Sequence, residues 1–170
     1  MGNERIRYLV EGECEKKLIE VLKRESLIPH GKATVFNALT QRISSSRLME
    51  FGKGSVVVLV FDTDGEQNDS ILRKNIQLLE EHVSGIRIIN LIQVENLEDE
   101  LVRATDVQHI EELTNSRSSH DFKSDFLKQK NCFAVLKKHK FDIIKMWNKE
   151  PSGVFSCFEQ QFSLLKKLKC

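Results

Sequence analysis

Short apolar runs and longer amphipathic stretches alternate along the first 95 positions, and then the alternation stops. Ile6–Val10 is the first apolar run, and Val56–Phe61 is the most apolar. Val56–Val60 is rich in β-branched residues and has no polar position, the pattern of a strand covered on both faces. Arg87–Val94 (RIINLIQV) reads as another strand and Thr34–Phe36 as a short one. Between the strands the period changes. Glu13–Glu25 gathers Leu18, Ile19, Val21 and Leu22 on one side and lysines and glutamates on the other, which predicts a helix. Leu39–Phe51 predicts a second helix, weakened by the serines Ser44–Ser46. A third starts at a cap on Asp69 or Ser70 and runs to about His82, with Ile71, Leu72, Ile76, Leu78 and Leu79 as its buried stripe; Gly85 ends it. The order β-α-β-α-β-α-β predicts an α/β fold with a doubly wound, parallel four-stranded sheet, because right-handed crossovers place helices on both faces.

Beyond Glu95 no further strand is expected. Leu97–Ala104, Val107–Leu113, Asp121–Lys128, Phe133–Lys138, Phe141–Trp147 and Phe155–Lys169 read as short helices, with Pro151–Gly153 separating the last from the rest. The expected organisation is an α/β domain over residues 1–105 and a helical C-terminal extension over 106–170 packed on it. A chain of 170 residues suits that arrangement.

Composition narrows the function only slightly. Hydrophobic residues make up 40% and there are only two prolines, so a packed core is expected rather than disorder. A net charge of +1 does not suggest non-specific coating of nucleic acid. The chain has no run of 18 apolar residues, and its charged start is unlike a secretory signal, so a cytoplasmic protein with no membrane partner is expected. Arg7 stands where a myristoylation motif needs Ser or Thr. Cys14, Cys132, Cys157 and Cys170 form no CxxC, and the five histidines form no HExxH, so reduced thiols and no zinc site are expected.

The chemistry sits at the strand ends. Val10-Glu11-Gly12 closes the first strand; Asp62 and Asp64 close the third. In open α/β sheets ligands bind at that carboxyl edge. Carboxylates so close repel one another unless a cation or proton lies between them. Magnesium takes oxygen ligands, often one or two protein carboxylates and several waters. It would polarise a phosphoryl oxygen and acidify a bound water, with a spare carboxylate as general base. Asp62 and Asp64 also suit a turn or helix cap, since Asp-Gly is a common turn pair.

VEGECEKKLI at Val10–Ile19 resembles the EGxxE signature that opens Toprim domains, and VFDTDG at Val60–Gly65 resembles their DxD signature. Order and spacing match, with a β-α-β-α-β unit between, and the resemblance covers residues 5–95. Toprim domains occur in bacterial primases, topoisomerases, RecR-type recombination proteins, a ribosomal-RNA maturase and the OLD-family nucleases. In small standalone members of the RloB kind an Asn-Pro-x-x-Glu-like segment follows the fourth strand; here Leu97 replaces the proline, and the tryptophan common nearby is absent. The resemblance implies that Glu11 is a general acid/base or metal ligand and that Asp62 and Asp64 hold Mg2+ or Mn2+. Glu15 matches the second glutamate of the first motif, although the helix dipole favours an acid there in any case. Glu66 is an outer-shell candidate. Glu98 could complete a second metal site, or simply be part of a solvated helix start.

Between Lys123 and Lys149 there are eight lysines interleaved with Phe126, Phe133, Phe141 and Trp147. Lys128, Lys130, Lys137 and Lys138 are candidate contacts to a phosphate backbone. The same spacing also suits phenylalanines in the core and lysines in water. Ser118–Lys123 is a candidate loop carrying Lys123 to the site, where its ammonium could neutralise charge on phosphorus as a catalytic group.

Three functions follow. The first is a metal-dependent nuclease acting on DNA or RNA, which the resemblance places in bacterial anti-phage defence beside an ATPase partner, since no GxxxxGK[ST] occurs in this chain. The second is a HAD-type phosphatase with Asp62 as nucleophile, needing a later acidic pair from Glu95 or Glu98-Asp99. The third is a non-catalytic Toprim interaction module. A tyrosine-nucleophile topoisomerase is not expected, because the only tyrosine, Tyr8, lies inside the first strand.

Overall fold

The structure, a computed structural model, describes residues 5–65 and 68–168. Glu66 and the chain's last two residues, with the expectations placed on them, lie outside the described residues. Four strands, β1 (Ile6–Val10), β2 (Lys32–Val35), β3 (Val56–Asp62) and β4 (Arg87–Gln93), form one sheet in the order β2-β1-β3-β4. Every pairing is parallel. The helices are α1 (Glu13–Arg24), α2 (Ser45–Leu48), α3 (Ser70–His82), α4 (Leu97–Ala104), α5 (Ile110–Thr114), α6 (Ser119–Lys128), α7 (Cys132–Lys138) and α8 (Phe162–Lys167). Among the described residues no helix is long and apolar enough to cross a membrane.

The sheet is buried on both faces, as the unalternating Val56–Val60 run requires. Side chains alternate along β3. Val56, Val58 and Val60 pack with Leu18 and Leu22 of α1, Leu97 and Leu101 of α4 and Phe122 and Phe126 of α6. Val57, Leu59 and Phe61 pack on the other face with Leu72 and Leu79 of α3 and with Phe155 and Phe158. The fold class is the expected one, and the C-terminal helices share the first of these cores. Gly31 precedes β2 where the chain passes β1: a Cβ there would lie 2.6 Å from the Ile6 carbonyl oxygen, so only glycine fits.

Three expected helices are corrected. Leu39–Phe51 is mostly loop, with α2 alone helical. The Asn37 side chain accepts the N–H groups of Leu39 and Thr40. The fully buried Asn75 accepts the Ile43 N–H and donates to the carbonyls of Ala38 and Gln41. These bonds replace helical ones. Phe141–Trp147 is a series of turns, because the Trp147 N–H donates to Glu100 at 2.9 Å and the Asp142 N–H to the Ala104 carbonyl at 2.8 Å. Phe155–Lys169 is α-helical only over Phe162–Lys167, after a 3-10 turn that ends at Phe155. Before α8, the chain crosses the outer edge of β4. The Gln160 side chain accepts the Ile92 N–H and donates to the Ile92 carbonyl; the Gln161 side chain accepts the Asn90 N–H, and its backbone N–H donates to the Asn90 carbonyl. Ser118–Lys123, expected as a loop, is the cap and first turns of α6.

Candidate active site

In this sheet order the chain leaves β1 toward β2 on one side and returns to β3 on the other, so a crevice opens between the carboxyl ends of β1 and β3. Glu11 follows β1 and Asp62 ends β3. The Glu11 Oε2 accepts the Asp62 backbone N–H at 3.2 Å. Asp62 continues the face of Val58 and Val60, so its carboxyl turns inward toward α1 and α4. It is 9% exposed and its Oδ1 is buried with no hydrogen-bond partner. Asp64 is exposed and accepts from the Asn96 side-chain amide at 3.1 Å. The two aspartates of the DxD pair thus face different surroundings.

Glu15 enters the same space from the first turn of α1 and is buried. Gly12 makes room for it: a Cβ on Gly12 would come within 2.9 Å of the Glu15 Oε2. Glu98 comes from the first turn of α4, with its Oε2 buried and unpartnered. Asn96 caps that helix by accepting the Asp99 N–H at 3.0 Å. The turn before it is fixed by bonds from the Thr63 and Asp64 N–H groups to the Glu95 carbonyl, with Glu95 at φ +73°. The Glu95 side chain turns outward to Lys149 at 3.7 Å.

Lys123 of α6 lies 3.3 Å from Glu98. α6 is clamped to α1, since Lys17 donates to the carbonyls of Leu127 and Gln129, both at 2.7 Å. Between the starts of α4 and α6 lies an open cleft of about 520 Å³ lined by Asn96, Glu98, Asp99, Ile110, His120 and Lys123.

The electrostatics follow from this crowding. Burial, then the charges of Glu11, Glu15, Asp64 and Glu98, push the Asp62 carboxyl up to about 9. Burial also raises Glu15 against the pull of its own backbone N–H, and Glu11 raises it further. Burial works against the Lys123 ammonium, but Glu98, Glu15 and Asp62 outweigh it and hold the group above its ordinary value. Burial and Glu15 push the Cys14 thiol up to about 11, so it is no nucleophile at neutral pH.

The structure therefore brings Glu11, Glu15, Asp62, Glu98 and Lys123 within electrostatic reach, with Asp64 at the rim. Among the described residues no group of three or more His, Cys, Asp or Glu side chains is arranged to hold a metal ion as it stands. Lys128, Lys130, Lys137 and Lys138 are not part of this cluster. Lys128 pairs with Asp125 at 3.7 Å, and Lys130 is exposed just after α6. Lys137 and Lys138 end α7, where the His139 carbonyl accepts the Asp106 N–H. That contact lies beyond the C-terminal end of α4, whereas the acids lie at its N-terminal end. Asn96 and Gln93 are additions. Gln93 is the register partner of Asp62, fully buried, and both of its amide atoms lack a partner. Its one signal in the sequence is a polar residue near the end of an otherwise apolar strand.

No family model, curated protein or solved structure matches the chain.

Proposed function

We propose that the chain is a Toprim-type, divalent-cation-dependent nuclease that hydrolyses phosphodiester bonds in DNA or RNA. The observation that carries this reading is the buried Asp62, pushed up to about 9 among four other carboxylates, with its Oδ1 unpartnered. Such an arrangement is costly to keep for structure alone, and a cation offsets the repulsion. The donor set is all oxygen, which suits magnesium or manganese rather than zinc. Asp62, Glu11 and Glu98 would hold the ion, with Asp64 at the rim. When bound, the ion supplies Lewis-acid polarisation of the phosphoryl oxygen and an acidified water. Glu11, anchored on the Asp62 N–H, manages the proton at the attacking oxygen. Lys123 offers its ammonium to charge growing on the phosphoryl group. The open cleft beside Glu98 and Lys123 admits the substrate strand.

An ATPase partner and a role in anti-phage defence belong to the same proposal, on the strength of the motif resemblance. The test is incubation of the protein with plasmid, single-stranded DNA and transfer RNA in manganese, beside an Asp62→Ala/Asp64→Ala variant. Cleavage by the native protein and none by the variant is expected. Equal cleavage by both would overturn the assignment, and inertness of both with no manganese binding favours the non-catalytic module.

A further inference from the structure

Gln93 is unused by the chemistry above. It ends β4, where Ile89 and Leu91 precede it at two-residue intervals on the face of α1 and α4. Asp62 is its neighbour across the parallel pair, so the two side chains stand side by side at the carboxyl edge. Gln93 is 0% exposed, and neither its Oε1 nor its Nε2 has a hydrogen-bond partner. The Oδ1 of its register partner Asp62 has none either. A buried polar group left unpaired costs about 1–3 kcal/mol. A leucine at this position would avoid that cost, so packing alone does not account for the carboxamide.

Resting on the reading of this cluster as a cation site, we propose that Gln93 is a positioning residue of that site, an outer-sphere partner that orients Asp62 and the ion's hydration water. A carboxamide can serve both groups at once. With the cation in place, its Nε2 would turn to donate to the Asp62 carboxylate, a bond the metal-free structure lacks. Its Oε1 accepts from water on the cation, which can only donate because its lone pair is committed to the ion. Magnesium retains several such waters, and each needs acceptors nearby. The other acceptors grouped around Asp62 are carboxylates, and one more would add to their mutual repulsion. A neutral acceptor with an adjacent donor meets both needs.

Thermal denaturation of the whole chain, titrated with manganese chloride alone, tests this on native protein, Gln93→Leu, Gln93→Met and Asp62→Asn. Both Gln93 variants keep the approximate volume and lose the hydrogen-bonding atoms. Without metal they should melt at or above the native temperature, since two unpaired buried atoms are gone. The manganese concentration giving half of the stabilisation should rise about tenfold or more, the usual cost of losing an outer-sphere partner. If the native shift is lost in Asp62→Asn but unchanged in both Gln93 variants, this inference fails and the cation site stands. If the native protein shows no manganese shift, or Asp62→Asn does not weaken it, the cation site fails and the role of Gln93 with it. Gln93 variants that melt far below native protein without metal would make Gln93 a structural residue and overturn the inference.

Discussion

Replacing Asp62 with asparagine should make the metal-free protein more stable, and increasingly so as pH rises. The carboxyl sits at about 9 in the folded chain against 3.8 ordinarily. Below about pH 4 both folded and unfolded chains carry the proton, and the group is neutral in the balance. As pH rises from there, the unfolded chain releases the proton and the folded chain keeps it, so folding must take up a proton from increasingly dilute supply. The stability present below pH 4 is thus lost progressively up to about pH 9, above which the folded chain ionises too. At about 1.4 kcal/mol per unit, the loss at pH 7.5 is at most about 5 kcal/mol. Water in the adjoining open cleft and relaxation of the neighbouring acids reduce this to about 2–3 kcal/mol. Asparagine has the same shape and no proton to take up. Urea denaturation in a chelator at pH 4, 6 and 8 reads the difference. The variant should match native protein within about 0.5 kcal/mol at pH 4 and exceed it by about 1 M in midpoint at pH 8. A gap that stays flat with pH, or a less stable variant at pH 8, refutes the burial and crowding argued for Asp62.

Two other substitutions separate site from scaffold. Lys123→Met removes the cation paired with Glu98; the partly exposed pair should cost only about 0.5 kcal/mol of stability. Manganese, measured by calorimetry, should bind about tenfold tighter to the more negative cluster, while phosphodiester turnover falls roughly a hundredfold. Glu100→Gln strikes the scaffold. Glu100 is 0% exposed, accepts the N–H groups of Val94 and Trp147, and pairs with Arg103. One amide cannot accept from all three, so a loss of about 3 kcal/mol and about 8 °C in melting temperature is expected by calorimetric scanning.

The strands and the acids at their ends were legible because both signals are local. Val56–Val60 has no polar residue to suggest an open face, and an acid directly after such a run has little choice but the sheet's carboxyl edge. The loop over Leu39–Phe51 was not legible: its apolar residues have helical spacing, but Asn75, more than 30 positions away, takes its backbone groups. Trp147 was misread for the same reason, its N–H being claimed by Glu100. Lys123 was legible as a basic residue near the site, though on a helix rather than a loop. Gln93 was passed over because a single polar side chain in RIINLIQV gives no sign of facing Asp62; only the β3–β4 register reveals that.

The two glutamines on the outer rim of β4 do more than bend the chain away from a helix. With their side chains they occupy backbone positions that a foreign strand would otherwise bond to. A protein shortened before Glu159 would retain every acid discussed above and still present a bare template, on which copy after copy could stack into aggregate. The tail thus shields that edge from strand addition.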